Sequence, residues 1–214
     1  MTERKRVLAP LERLSEVMYG LIIVLTFTST FSVATASRAG VRELLIAAVG
    51  CSAAWGIVDA VMYLVGKLSE RGRQITILRA LRCSRGPDEA RELLFGAMPP
   101  LLAERLQPAE WLEMGARLST IPVPERPRLA REDYVGAIGI FLLGFLATVP
   151  VAIPFLVMAD PRLALRTSNL VAAVLLFLVG LGYGRYAGYP SWRLGVTMVA
   201  LAGILVAVTV ALGG

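Results

Sequence analysis

The chain contains no histidine. That absence removes Ser-His-Asp hydrolysis, His-ligated zinc or haem, and an imidazole proton relay from the available chemistry. Cysteine is nearly as scarce. Cys51 falls in an apolar run and Cys83 in a polar segment, so neither a disulfide framework nor a thiolate zinc cluster is expected. Charged residues make up only 18% of the 214 positions against 56% hydrophobic ones, and the mean hydropathy is +0.66. One soluble domain cannot hide that much apolar surface, which makes a lipid bilayer the expected solvent.

Five apolar runs are expected to cross it, near Glu16–Ala36, Leu44–Gly66, Tyr134–Met158, Asn169–Ala187 and Trp192–Leu212. Each has the roughly 20 residues that a helix needs to span about 30 Å of hydrocarbon. Arg4, Lys5, Arg6 and Arg13 precede the first run, but no small-residue cleavage site follows a short apolar stretch, so it reads as a retained span. Lys and Arg gather in the N-terminal tail, in the segment from Lys67 to Arg131, and at Arg185 and Arg193. The opposite side holds Arg38, Arg42, Arg162 and Arg166. The positive-inside rule therefore expects a cytoplasmic N-terminus and an external C-terminus. Arg-heavy, Lys-poor usage suggests a bacterial inner (plasma) membrane. The net charge of +6 reads as topology and anionic-lipid contact, with no nucleic-acid partner.

The expected fold is an all-α polytopic membrane protein in three parts: residues 1–66 with a tail and spans one and two, a small helical cytoplasmic insert over 67–133, and spans three to five over 134–214. Pro87, Pro99-Pro100, Pro108 and the run Ile121-Pro-Val-Pro-Glu-Arg-Pro127 divide the insert, and three short helices fit between these breaks. Ile75, Leu78 and Leu81 give the first an apolar stripe; Pro87 opens the second, and Pro108 opens the third ahead of Trp111, Leu112 and Leu118. The Pro-rich run is a stiff connector. An insert of this size is a marginal independent domain, and with the odd span count it points to a homodimer. Gly136, Gly139, Gly144, Gly195 and Gly203 are candidate sites of close helix approach.

Asp59 is the ionisable residue most in need of an explanation, because a carboxylate within a span usually faces a pathway or a partner. Met62 and Tyr63 lie three and four positions beyond it and Trp55 four before, so one helix face is expected to present a carboxylate, a thioether and a phenol. Oxygen with soft sulfur suits Fe²⁺ or Mn²⁺ better than Mg²⁺ or Ca²⁺. The alternative is that Asp59 pairs with an arginine or a helix terminus for folding. In span one, Ser15, Tyr19, Thr26 and Ser29 share a face, with Glu16 at its cytoplasmic end; they line a path or bond to the preceding turn. Pro150 and Pro154 interrupt span three, which makes a site, a hinge or a static kink. In the insert, Glu89 with Glu92 and Glu110 with Glu113 form two i, i+3 carboxylate pairs with Met98 and Met114 nearby. These either bind divalent ions or serve helix starts.

Several of these stretches share a pattern. Ser191-Trp-Arg-Leu-Gly195 followed by Met198, Gly203 and Val208-Thr209 resembles the S-W-x-x-G-x-x-M-x-x-x-x-G stretch of the vacuolar iron transporter family. Gly144 through Pro150 to Pro154, and Tyr63-Leu64 followed by Ser69-Glu70-Arg71, are similar to two further stretches of that family. Where the family has N-D-G in its first span this chain has Met18-Tyr19-Gly20, and Met62 stands at the family's Glu before Tyr-Leu, so the chain looks like a divergent branch. The resemblance implies five spans, a metal-binding insert, and a dimer that moves Fe²⁺ or Mn²⁺ out of the cytoplasm against protons. It also implies a path at the dimer axis, with Asp59 and its symmetry mate as carriers and no permanently bound cofactor. The rival expectation is a membrane scaffold or regulator that keeps the fold without a working ion path. An intramembrane enzyme is not expected, since Asp59 has little acidic company in the spans and no nucleophile with a base is evident.

Overall fold

The structure, a computed structural model, describes residues 8–29, 38–84 and 86–211. These form eight helices: α1 (Pro10–Ser29), α2 (Arg38–Cys83), α3 (Pro87–Ala97), α4 (Pro100–Ala103), α5 (Pro108–Ser119), α6 (Arg131–Val157), α7 (Pro161–Ala187) and α8 (Ser191–Ala211). Five of them open on a proline. At that position the missing N–H would have had no partner, and the fixed φ suits the first turn. Asp160 adds a cap to α7 by accepting from the Arg162 N–H at 2.9 Å. The same helix stops at Gly188, whose φ of 71° is a left-handed conformation open to a residue without Cβ.

The insert was expected to begin with its own helix, but α2 instead runs unbroken through 46 residues, joining the second apolar run to the stripe of Ile75, Leu78 and Leu81. The reason is local. No proline occurs between Arg38 and Cys83, and past Lys67 the Glu70 side chain pairs with Arg73 at 3.0 Å and accepts from Gln74 at 3.0 Å, both at helical spacing. α3 and α5 fall where Pro87 and Pro108 placed them.

Four helices are long and apolar enough to cross a bilayer: Leu45–Cys83, Arg131–Val157, Pro161–Ala187 and Ser191–Thr209. α1 differs from the expected fifth because its 20 residues include Glu12, Arg13 and Glu16. Ala36 and the other residues of the first expected run beyond Ser29, to 36, lie outside the described residues, as does Leu212.

The chain divides into two compact units, Met1–Met62 with Glu132–Gly214, and Tyr63–Arg131. The core of the first is built around α1. Its Leu21, Val24 and Leu25 meet Val151 of α6, Ala172, Leu176 and Val179 of α7, and Ala202 of α8. Small residues set the spacing. A Cβ on Gly180 would lie 2.7 Å from the Cα of Gly195, and one on Gly184 would lie 2.5 Å from the Cα of Ser191. A Cβ on Gly20 would run into the carbonyl of Gly144. Gly144 and Gly195 thus sit at backbone crossings, Gly139 faces the Leu8 side chain, and Gly203 has open space around it.

Pro150 and Pro154 were expected to interrupt the third span, yet α6 continues through both. Packing holds the stretch in place. Val151, between the prolines, is fully buried, and its carbonyl accepts from the Ser168 hydroxyl of α7 at 2.7 Å. Ser168→Ala removes that interhelical bond, which is expected to cost about 0.6 kcal/mol and at most roughly 1.7. Thermal denaturation in detergent against wild type measures it.

The second unit has its own small core of Leu81, Leu94, Ala103 and Trp111, with the Phe95 and Trp111 rings 6.2 Å apart. The Pro-rich connector is laced to α2 by three guanidiniums. Arg82 donates to the carbonyls of Ser119 and Ile121, Arg79 to those of Pro124 and Glu125, and Arg71 to that of Arg128. An extended Pro-rich strand has no internal hydrogen bonds, so its carbonyls are free to accept them.

Candidate functional site

The inner face of α2 in the first unit follows helical spacing through Leu45, Ala48, Ser52, Gly56 and Asp59, all buried or half-buried. Gly56 allows this approach, since a Cβ there would press to 2.9 Å on the Phe141 ring of α6. The opposite positions, Ile46, Val49, Ile57, Val58 and Val61, are exposed. Asp59 therefore lies on the helix face that packs inward. Among the described residues it makes no hydrogen bond or ion pair.

Its nearest chemical company comes from α1. Glu16 lies within electrostatic reach of Asp59 and also of Glu12, one turn earlier on its own helix. The Glu16 Oε2 atom is buried and has no hydrogen-bond partner, whereas Glu12 accepts from the Ala9 N–H at 2.8 Å. Two carboxylates from separate helices thus lie within electrostatic reach of each other in one apolar unit, one of them with an unsatisfied oxygen. Like charges in a low dielectric repel strongly, and a proton or a cation between them relieves it.

In the same unit, Thr28 of α1 and Thr148 of α6 are buried and flank a small void of about 10 Å³ together with Leu45, Ala48 and Phe155. That is room for about one water molecule. The span-one hydroxyls otherwise turn onto their own helix: Thr26 donates to the carbonyl of Ile22 at 2.8 Å and Ser29 to that of Leu25 at 2.7 Å. Tyr19 is exposed and Ser15 half-buried.

The other sequence candidates disperse. Met62 is 61% exposed, whereas Asp59 is half-buried. Tyr63 belongs to the second unit, where the Lys67 Nζ sits 4.9 Å over its ring. Pro154 is buried and Pro150 half-buried within the α6–α7 packing already described.

In the second unit, Glu89, Glu92, Glu110 and Glu113 are all exposed. The Glu110 carboxylate accepts from the Gln107 N–H at 2.7 Å and closes the start of α5, and Glu113 pairs with Arg117 at 2.6 Å. Met98 and Met114 pack onto the core around Trp111. Among the described residues no group of three or more Asp, Glu, Cys or His side chains is placed to hold a metal ion.

Sequence reasoning missed Thr28, Thr148 and Ser168, all buried, and three further polar positions. Asp133, in the first turn of α6, is 6% exposed, and the Ser52 hydroxyl and the Asn169 carbonyl oxygen are buried without partners. For Ser52 the signal was available, because it lies seven residues before Asp59, two turns along the same face.

Four long apolar helices define the class: among the described residues this is an all-helical protein of the membrane-embedded kind. No protein-family model matches the sequence, and no characterised protein matches it either.

Proposed function

We propose that this chain is a divalent transition-metal transporter that exports Fe²⁺ or Mn²⁺ from the cytoplasm in exchange for protons. The observation that carries the reading is the pair formed by Glu16 of α1 and Asp59 of α2, an acidic site on helices that pack within the apolar unit. Hard carboxylate oxygens bind such cations once deprotonated, so cation loading displaces protons and couples the two flows. The sequence resemblance to the vacuolar iron transporter family supports the same substrate class. In this reading α1 is the fifth span, with Glu12 and Glu16 near its cytoplasmic end. The 63–131 unit is the cytoplasmic insert, the N-terminus lies inside, and the membrane is a bacterial inner membrane. The exposed apolar face of α2, with Val58, Val61 and Val65, is available to lipid or to the second copy of a homodimer.

One observation favours the rival reading, a membrane scaffold without an ion path: the acidic pair is not part of a group of three ligating side chains among the described residues. The test is uptake of Fe²⁺ and Mn²⁺ into proteoliposomes loaded with a metal-quenched dye under an imposed pH gradient. Wild type is expected to quench the dye in a gradient-dependent way, and Asp59→Asn to abolish the signal while remaining folded. A folded wild type that moves neither metal supports the scaffold.

A further inference from the structure

The second unit carries a groove of about 690 Å³ that the acidic pair does not explain. Its floor is apolar, made by Ile75 and Leu78 of α2 and by Ile121, Pro122, Pro124 and Pro127 of the connector. Its rim is basic. Arg71, Arg126 and Arg128 line it, with Glu125 as the one carboxylate. Arg71 is committed to the Arg128 carbonyl, which fixes the groove's wall. The Arg126 and Arg128 guanidiniums are exposed and make no hydrogen bond or ion pair among the described residues. The volume falls within the roughly 300–1,000 Å³ of small-ligand sites, and an apolar floor under free guanidiniums selects a ligand that is anionic at one end and greasy at the other.

We propose that this groove binds the headgroup of an anionic phospholipid. Guanidinium forks match phosphate oxygens in bidentate geometry, and the proline and isoleucine floor takes the glycerol and the first acyl carbons. Chain position favours a lipid over a soluble anion. Arg71 follows the apolar run ending at Gly66 by five residues, and Arg128 precedes α6 by three. Basic residues this close in sequence to the ends of spans are the ones that anionic leaflets attract. The lacing by Arg79 and Arg82 supplies the rigidity, because it holds the connector against α2 before any ligand arrives.

The test uses the full-length protein in detergent micelles containing equal amounts of dioleoyl-phosphatidylglycerol and dioleoyl-phosphatidylcholine, with bound lipid counted by native mass spectrometry. Wild type is expected to retain phosphatidylglycerol selectively. Arg126→Gln with Arg128→Gln should lower that retention by roughly tenfold or more. Arg91→Gln with Arg105→Gln removes the same charge from exposed positions outside the groove lining, and should change retention less than about twofold. The melting temperature of each variant confirms that it is folded. Equal losses in the two double variants would overturn the proposal, since bulk charge would then suffice. So would wild type retaining both lipids alike. Displacement of phosphatidylglycerol by millimolar inorganic phosphate would also overturn it, assigning the groove to a soluble anion.

Discussion

Gly180→Leu should leave little folded protein after extraction into detergent, whereas Gly203→Leu should behave as wild type. The difference lies in what each new side chain meets. At Gly180 the first carbon alone would stand 2.7 Å from the Gly195 Cα, 2.9 Å from the Gly195 N and 2.9 Å from the Leu194 carbonyl oxygen. All three are backbone atoms, so no rotamer change relieves the overlap and α7 must move off α8. At Gly203 nothing lies within 4 Å. Overpacking a tight interior typically costs about 1–3 kcal/mol, and here the loss extends along the helix pair because Gly184 and Ser191 form a second close crossing on the same seam. Apolar attraction between helices is weak in lipid, so the pair depends on this close fit. Size-exclusion profiles and thermal melting of the two variants provide the measurement. A Gly180→Leu variant as stable as wild type would mean that α7 and α8 do not meet at these glycines.

Much of this arrangement was legible in the sequence. Hydropathy found the long apolar helices, and Pro87 and Pro108 located α3 and α5, because a proline at the first helical position is a local signal. Gly144 and Gly195 were recognised as approach points, but their partners Gly20 and Gly180 were not, since pairing depends on which helices become neighbours. The helix boundary at Lys67 failed for a different reason. A fall in hydropathy marks a change of solvent, not the end of a helix, and no proline stops α2 before Cys83. The continuity of α6 through Pro150 and Pro154 was equally out of reach, because a proline in a helical stretch reads locally as a break, and the packing around Val151 comes from other helices.

The site was legible only in part. Asp59 stood out because a charge in an apolar run is rare. Glu16 was read with the span-one hydroxyls as part of a candidate path, and its nearness to Asp59 depends on tertiary packing that spacing along one helix does not show. Met62 and Tyr63 were drawn in by sequence spacing. Met62 is largely exposed, and Lys67 engages the Tyr63 ring. The four insert glutamates met both criteria of a carboxylate pair, yet two of them serve α5 itself, closing its first turn at Glu110 and pairing along its surface at Glu113.

The acidic pair makes a prediction with opposite signs for stability and for activity. Without metal, Glu16 and Asp59 are like charges within electrostatic reach, and Glu16 keeps a buried oxygen with no donor. Neutralising either one, as Glu16→Gln or Asp59→Asn, is therefore expected to raise the melting temperature of the metal-free protein. Each substitution should also cut metal transport to below about a tenth of wild type, and the double variant should lose little more, since groups that act as one unit are not additive. Added Mn²⁺ should raise the melting temperature of wild type by linkage, because it binds the folded state alone, and should fail to do so in all three variants. Thermal melting with and without Mn²⁺, set beside proteoliposome uptake, reads both signs. If Glu16→Gln transports as well as wild type, Asp59 works without it and the pair is not the binding site. If both single variants melt lower, the carboxylates hold the helices together through partners of their own, and the pair is structural.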